Sequence, residues 1–120
     1  MEQIQVKIKT VKYGDKPLRV AFTPIGNLFN LNDLCRILDV DYDDGFSFSS
    51  DTKYQVWTFK NGHLGILRTY LDEVGVFELG CLVKSKKRKK EFREWFKQQG
   101  FIPLDYFCSK PNIEDFYFIE

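Results

Sequence analysis

From Ile4 the chain alternates, with Ile4, Val6 and Ile8 on one side and Gln5, Lys7 and Lys9 on the other, the pattern of a strand with one buried face. Tyr13-Gly14-Asp15-Lys16-Pro17 is a turn sequence and Leu18 to Thr23 returns as a second strand, so a hairpin is predicted. Gly26-Asn27 punctuates the next turn, and Leu28-Phe29-Asn30 leads into a segment where Leu31, Leu34, Cys35 and Leu38 fall at i, i+3, i+4 and i+7. That spacing predicts a short amphipathic helix, with Asn30 as its N-cap and Asp33 three residues on. Tyr54, Val56 and Thr58 then alternate with Gln55, Trp57 and Phe59. Asn61-Gly62 is the strongest two-residue hairpin signal in the chain, and His63 to Arg68 is the expected returning strand.

From Leu71 the apolar positions Leu71, Val74, Val76, Phe77, Cys81 and Leu82 approximate a 3.6-residue period, interrupted by Gly75 and Gly80. After a break near Ser85, Phe92, Trp95 and Phe96 form one apolar stripe at i, i+3 and i+4, and Gly100 is a C-terminal stop. Two helices are therefore predicted between Leu71 and Gln99. The tail is aromatic and mildly acidic, ending Asp115-Phe116-Tyr117-Phe118-Ile119-Glu120, and its apolar density predicts packing back on the domain as a last strand. The expected architecture is α+β: a small mostly antiparallel sheet of two hairpins, covered by about three helices.

Charge changes this picture at one place. Between Lys84 and Arg93 seven of ten residues are basic: Lys84, Lys86, Lys87, Arg88, Lys89, Lys90 and Arg93. Lys86 to Lys90 fill the first turn of a predicted helix, where the macrodipole already carries partial positive charge and acids are preferred. The cost is a few tenths of a kcal/mol per exposed cation, plus mutual repulsion, about what a nearby polyanion would relieve. The plainer reading is a solubilising patch on a nearly neutral protein.

The same block resembles a known family. Val74-Gly75-Val76-Phe77-Glu78-Leu79, then Lys84-Ser85-Lys86-Lys87, then Lys90-Glu91-Phe92-Arg93-Glu94-Trp95, with Ile102-Pro103 after them, are similar in order and spacing to the most characteristic part of the Bro-N domain. This is the N-terminal domain of baculovirus Bro proteins and of many phage and prophage antirepressors. Phe29, Asp33 and Leu38 hold the places of the family's other recognisable element, although Asp39-Val40 stands where the family often has Gly-Tyr. The likeness runs from about Val11 to Leu104 and is weak in the middle, where the family's basic segment is missing. Members of the family usually continue into a second domain, so the resemblance implies a stand-alone version, with the whole chain as one domain.

Composition narrows the alternatives. At 120 residues, 43% hydrophobic and 17% aromatic, the chain has enough apolar material for one core. Its net charge of +1 lacks a whole-protein nucleic-acid signature, so any polyanion binding rests on how the charge is distributed. No run approaches a membrane-spanning length and no signal peptide is recognisable, which predicts a cytosolic protein, or a nuclear one in a eukaryotic host, with no membrane partner. Cys35, Cys81 and Cys108 are odd in number and far apart, giving neither a disulfide framework nor a zinc spacing. His63, the one histidine, sits in a turn sequence. Asp39, Asp41, Asp43 and Asp44 before Gly45 imitate the start of a calcium loop, but Ser50 stands where the bidentate Glu is needed. No metal or cofactor is expected. Nor is an enzyme, because nucleophile-base pairs, paired carboxylates with a histidine and glycine-rich phosphate loops are all missing.

The expected function is a DNA-binding regulatory domain of the antirepressor type. It would contact duplex phosphates through Lys84, Lys86, Lys87, Arg88, Lys89, Lys90 and Arg93, with Arg36, Arg68 and Lys97 as flanking candidates whose plainer reading is surface charge. The alternative is a protein-binding module that engages a repressor or another protein without touching DNA. For the aromatic tail the alternative to packing back on the domain is an exposed patch at a homodimer contact.

Overall fold

The computed structural model describes residues 4–41, 52–60, 65–103 and 116–120. Its strands are β1 (Ile4–Tyr13), β2 (Lys16–Thr23), β3 (Gly26–Asn30), β4 (Lys53–Phe59), β5 (Ile66–Leu71) and β6 (Phe116–Ile119). Its helices are α1 (Leu31–Leu38) between β3 and β4, and α2 (Glu73–Gly80) and α3 (Lys86–Gln98) between β5 and β6. The six strands close into a barrel in the order β1-β2-β3-β5-β4-β6.

The closed barrel corrects the expected small sheet of two hairpins. Both hairpins are there: β1 pairs with β2 through Val11↔Leu18 and Tyr13↔Lys16, and β4 with β5 through Val56↔Arg68 and Trp57↔Leu67. Two strands join and close them. β3 reads locally as a turn followed by a helix lead-in, yet the turn is earlier, at Pro24 and Ile25, where the Thr23 hydroxyl donates to the Gly26 carbonyl at 2.6 Å and accepts from the Ile25 amide. Gly26 follows at φ 141°, a conformation that favours glycine. All five β3 residues are buried, because one face of the strand looks into the barrel and the other onto the helices. β6 is the expected last strand, but it runs parallel to both neighbours, through Val6↔Phe118 on β1 and Thr58↔Phe118 on β4. Parallel pairing at both edges leaves no free edge in the sheet.

Alternation along the strands produces two cores. Val6, Ile8, Ala21, Leu28, Val56, Tyr70 and Phe118 form one cluster drawn from all six strands, which is the barrel interior. Leu18, Val20, Phe29 and Leu71 belong to the other, with Leu34 and Leu38 of α1, Val76 and Leu79 of α2, and Phe92 and Phe96 of α3. The helices therefore cover the outer wall over β2, β3 and β5.

Leu71 does not open a helix. It ends β5, and the buried Asp72 caps α2 by accepting the Gly75 amide at 2.9 Å. Gly75 itself allows a close approach, since a Cβ there would lie 3.0 Å from both the Thr52 carbonyl and Leu71 Cβ.

One polar cluster joins the layers. Asp33, whose side chain is 3% exposed, accepts from the Arg19 amide at 2.9 Å, from Arg19 Nε at 2.8 Å and from Arg19 Nη2 at 3.0 Å. Arg19 Nη1 reaches the Glu120 carboxylate at 3.4 Å, and Arg68 Nε approaches the same oxygen at 3.6 Å. Asn30 Oδ1 caps α1 by accepting the Asp33 amide at 3.0 Å. Tyr70, the cross-strand partner of Asn30, is fully buried, and its hydroxyl meets the Asn30 side chain without a hydrogen bond of good geometry.

Two outcomes are expected. Replacing Asp33 with Asn leaves the Arg19 charge with only the longer contact to Glu120. That should cost about 2–3 kcal/mol in urea unfolding, less than for a fully buried pair because Arg19 keeps some contact with water. For Tyr70, burial raises the phenol pKa above the ordinary 10.0, outweighing the lowering by Asn30 and by the Arg19 charge. The unfolded chain then releases this proton first, so stability should decline as pH rises above about 10. Tyr70→Phe should reduce that alkaline loss in thermal melts, while changing stability near neutral pH by no more than about 1 kcal/mol.

Candidate nucleic-acid interface

The candidate surface is the outer side of α3, and its direction is set by what holds the helix at each end. At the N-terminus Ser85 Oγ accepts the Arg88 amide at 3.3 Å, as expected of an N-cap. Arg88 then reaches out of the helix, donating to the Leu38 carbonyl at the end of α1 at 3.3 Å and pairing with Asp39 at 3.5 Å. At the C-terminal end Phe101 packs on Phe29 and Phe96, with ring centroids 4.9 and 5.0 Å apart. The Ile102 amide donates to Asn27 Oδ1 at 2.6 Å, and the Ile102 carbonyl accepts from the Asn27 amide at 2.8 Å. Between these ties Phe92 and Trp95 meet Tyr13 edge-on and Phe96 lies against Phe29.

With Phe92, Trp95 and Phe96 turned to the core, helical geometry sorts the cations. Lys86, Lys90, Arg93 and Lys97 fall within about 60° of one another around the axis, and the stripe is about 16 Å long. All four are exposed. Lys89 lies at the edge nearest Phe96 and is half-buried. These five, with Glu94, line an open groove of about 410 Å³. Among the described residues none of the five forms an ion pair with a carboxylate.

The remaining candidates are placed differently. Lys87 is exposed on the flank of α3 that also carries Glu91, four residues on. Lys84 is exposed in the turn before α3, across a cleft of about 520 Å³ from Asp39 and Asp41. Arg88 is occupied with α1. Arg36 is exposed on α1, 3.9 Å from the Asp33 carboxylate of its own helix. Arg68 belongs to the Arg19–Asp33–Glu120 cluster and is not on this surface. The calcium-loop imitation from Asp43 to Ser50, His63 and Cys108 lie outside the described residues.

Sequence reasoning missed two features of the site. Glu94 projects into the cationic groove, as its position one residue after Arg93 and four after Lys90 allows. Val74 and Phe77, at helical spacing on α2, are exposed, and Phe77 sits with Lys89 and Arg93 around a small apolar notch between α2 and α3.

Comparison with protein-family models, with curated proteins and with solved structures finds no match. No helix among the described residues is long and apolar enough to cross a membrane.

Arg88 and Arg93 should separate in their effects. Arg88→Gln is expected to lower stability by about 0.5–1 kcal/mol, through the lost contact with the Leu38 carbonyl. Arg93→Gln should leave stability unchanged and cost more retention on a heparin column; equal retention for the two variants would count against the stripe.

Proposed function

We propose that this protein is a DNA-binding regulatory domain of the phage or prophage antirepressor type, acting in the cytosol or in the nucleus of a eukaryotic host and not as an enzyme. The observation that carries the proposal is the row of Lys86, Lys89, Lys90, Arg93 and Lys97 on one exposed side of a helix fixed at both ends, with no carboxylate paired to any of them among the described residues. The resemblance of Val74 to Trp95 to the Bro-N block supports the same reading and supplies the antirepressor class.

The contacts are with phosphates. A rigid row about 16 Å long presents its charges without first having to order a loop, so little conformational entropy opposes binding. Lysines dominate the row, and ammonium groups act on phosphate as point charges, which position a protein on a duplex without reading its bases.

A second reading has its own observation. Val74 and Phe77 leave an apolar edge beside Lys89 and Arg93, which suits a repressor or another protein partner with acidic and apolar groups side by side.

The test is binding to a labelled duplex across a salt series, beside a variant with Lys86, Lys89, Lys90, Arg93 and Lys97 changed to Gln. Five phosphate contacts give a log-log slope of about −4 to −5, and the variant should lose most of that slope. If wild type does not bind the duplex at low salt, the DNA reading fails. A partner retained at high salt and lost on Phe77→Ala would then establish the protein-binding alternative.

A further inference from the structure

The part of the barrel wall that the helices leave uncovered is aromatic and basic. β6 lies there between β1 and β4. Val6 and Ile8 look into the barrel, which turns Lys7 and Lys9 outward, and both are exposed. Phe118 is inward on β6 and Val56 on β4, which turns out Tyr117 and Ile119, and Trp57 and Phe59. The registers Lys7↔Ile119 and Ile119↔Phe59 align these positions across three strands. On β2, the neighbour of β1, Phe22 lies beneath the Lys9 ammonium, 5.6 Å from the ring centre. From Phe22 to Phe59 is three strand spacings, about 14 Å.

Two features of this wall point to its ligand. Trp57 is 58% exposed and Phe22 40%, large flat rings left facing water on a rigid sheet. Phe59 and Tyr117 stack on each other, with centroids 4.6 Å apart and planes 13° from parallel, so they brace the wall beside Trp57. The charge is one-sided. Among the described residues the outward positions of β1, β4 and β6 carry lysines and no carboxylate, and the Glu120 carboxylate is turned to Arg19 and Arg68. Flat π-faces beside the Lys7 and Lys9 ammonium groups match a ligand that offers planar rings and a negative backbone together. A duplex hides its base faces, whereas a single strand presents them.

We infer that this wall binds single-stranded nucleic acid, with bases stacking on Trp57 and Phe22 and the backbone passing Lys7 and Lys9. The interaction is tolerant of sequence, because every base has a π-face. It shares no residue with the α3 stripe and does not depend on the duplex reading.

The experiment is fluorescence anisotropy of labelled oligo(dT) and of a labelled duplex, with wild type, a Trp57→Ala/Phe22→Ala variant, a Lys7→Gln/Lys9→Gln variant and the five-Gln α3 variant. Both aromatic positions are exposed, so their loss should leave the fold intact, which circular dichroism checks. Removing the two rings should weaken oligo(dT) binding by at least about 10-fold and leave duplex binding unchanged. Removing the two lysines should make the salt slope for oligo(dT) shallower by about 1.4. In the α3 variant oligo(dT) binding should still respond to Trp57→Ala, whatever happens to the duplex. The inference is overturned if wild type does not bind oligo(dT), or if the aromatic variant binds it as tightly as wild type. It is equally overturned if sedimentation shows self-association that the aromatic variant abolishes and oligo(dT) does not compete with, since the wall is then a contact between two copies.

Discussion

The Asp33 carboxylate is the point on which the two layers of this protein depend. It sits at the start of α1, is almost wholly buried, and receives three hydrogen bonds from Arg19 of β2, all charge-assisted and two of them from the guanidinium. A carboxylate so withdrawn from water is tolerable only because those bonds and the guanidinium charge replace its hydration. Arg19 extends the connection to Glu120, just past β6, and Arg68 of β5 approaches the same carboxylate. One ionic cluster therefore joins α1, two walls of the barrel and the strand that closes it. In a barrel closed by a strand of only four residues, such a tie supplements a short ladder.

From there a chain of contacts leads to α3. Asp33 and Asn30 fix the beginning of α1, and the end of α1 offers the Leu38 carbonyl to Arg88. Asn27 of β3 holds Ile102 at the other end of α3. Because α3 is clamped at both ends and its aromatic side is buried, its cations have one direction left to face. The strongly basic segment is thus divided by function: Arg88 holds the helix in place, and the Lys86-to-Lys97 row is what the outside meets. This also changes how the cost of cations in a first helical turn is met. Asp39 and a backbone carbonyl relieve Arg88 from within the protein, while the row has no such relief among the described residues.

Features written in neighbouring residues were legible in the sequence. The alternation of Ile4 to Ile8, the turn at Gly14, the capping pair Asn30 and Asp33, the Ser85 break and the stripe Phe92, Trp95 and Phe96 each carry their own periodicity or turn chemistry. The closure of the barrel was not legible. β3 has no alternation because both of its faces are buried, and Leu28 and Phe29 serve different cores. The parallel pairing of β6 with β1 and β4 is a long-range choice that nothing local in Phe116 to Ile119 encodes. Arg68 reads in the sequence as a surface charge and nothing local singles out Arg19; only the barrel turns them onto Asp33 and Glu120. In the candidate site the basic residues were visible as a group, but their separation into a holding residue, a flank and a row needed the direction of α3.

A net charge of +1 is a poor guide to what such a surface attracts. At physiological ionic strength a charge is screened beyond about 8 Å, so a phosphate approaching α3 responds to the groups within a turn or two of the helix and hardly to the rest of the chain. Within that range lie the five cations of the row and Lys87 on the flank, against the acids Glu91 and Glu94. Acids elsewhere do not cancel this field. Asp33 is paired with Arg19 and Asp72 is spent on a helix cap. A nearly neutral chain can in this way carry a locally positive face, because α3 gathers its cations on one side while Asp33 and Asp72 are held inside. Neutrality overall limits non-specific attraction at long range, and what comes close to the row meets a fixed arrangement of charge.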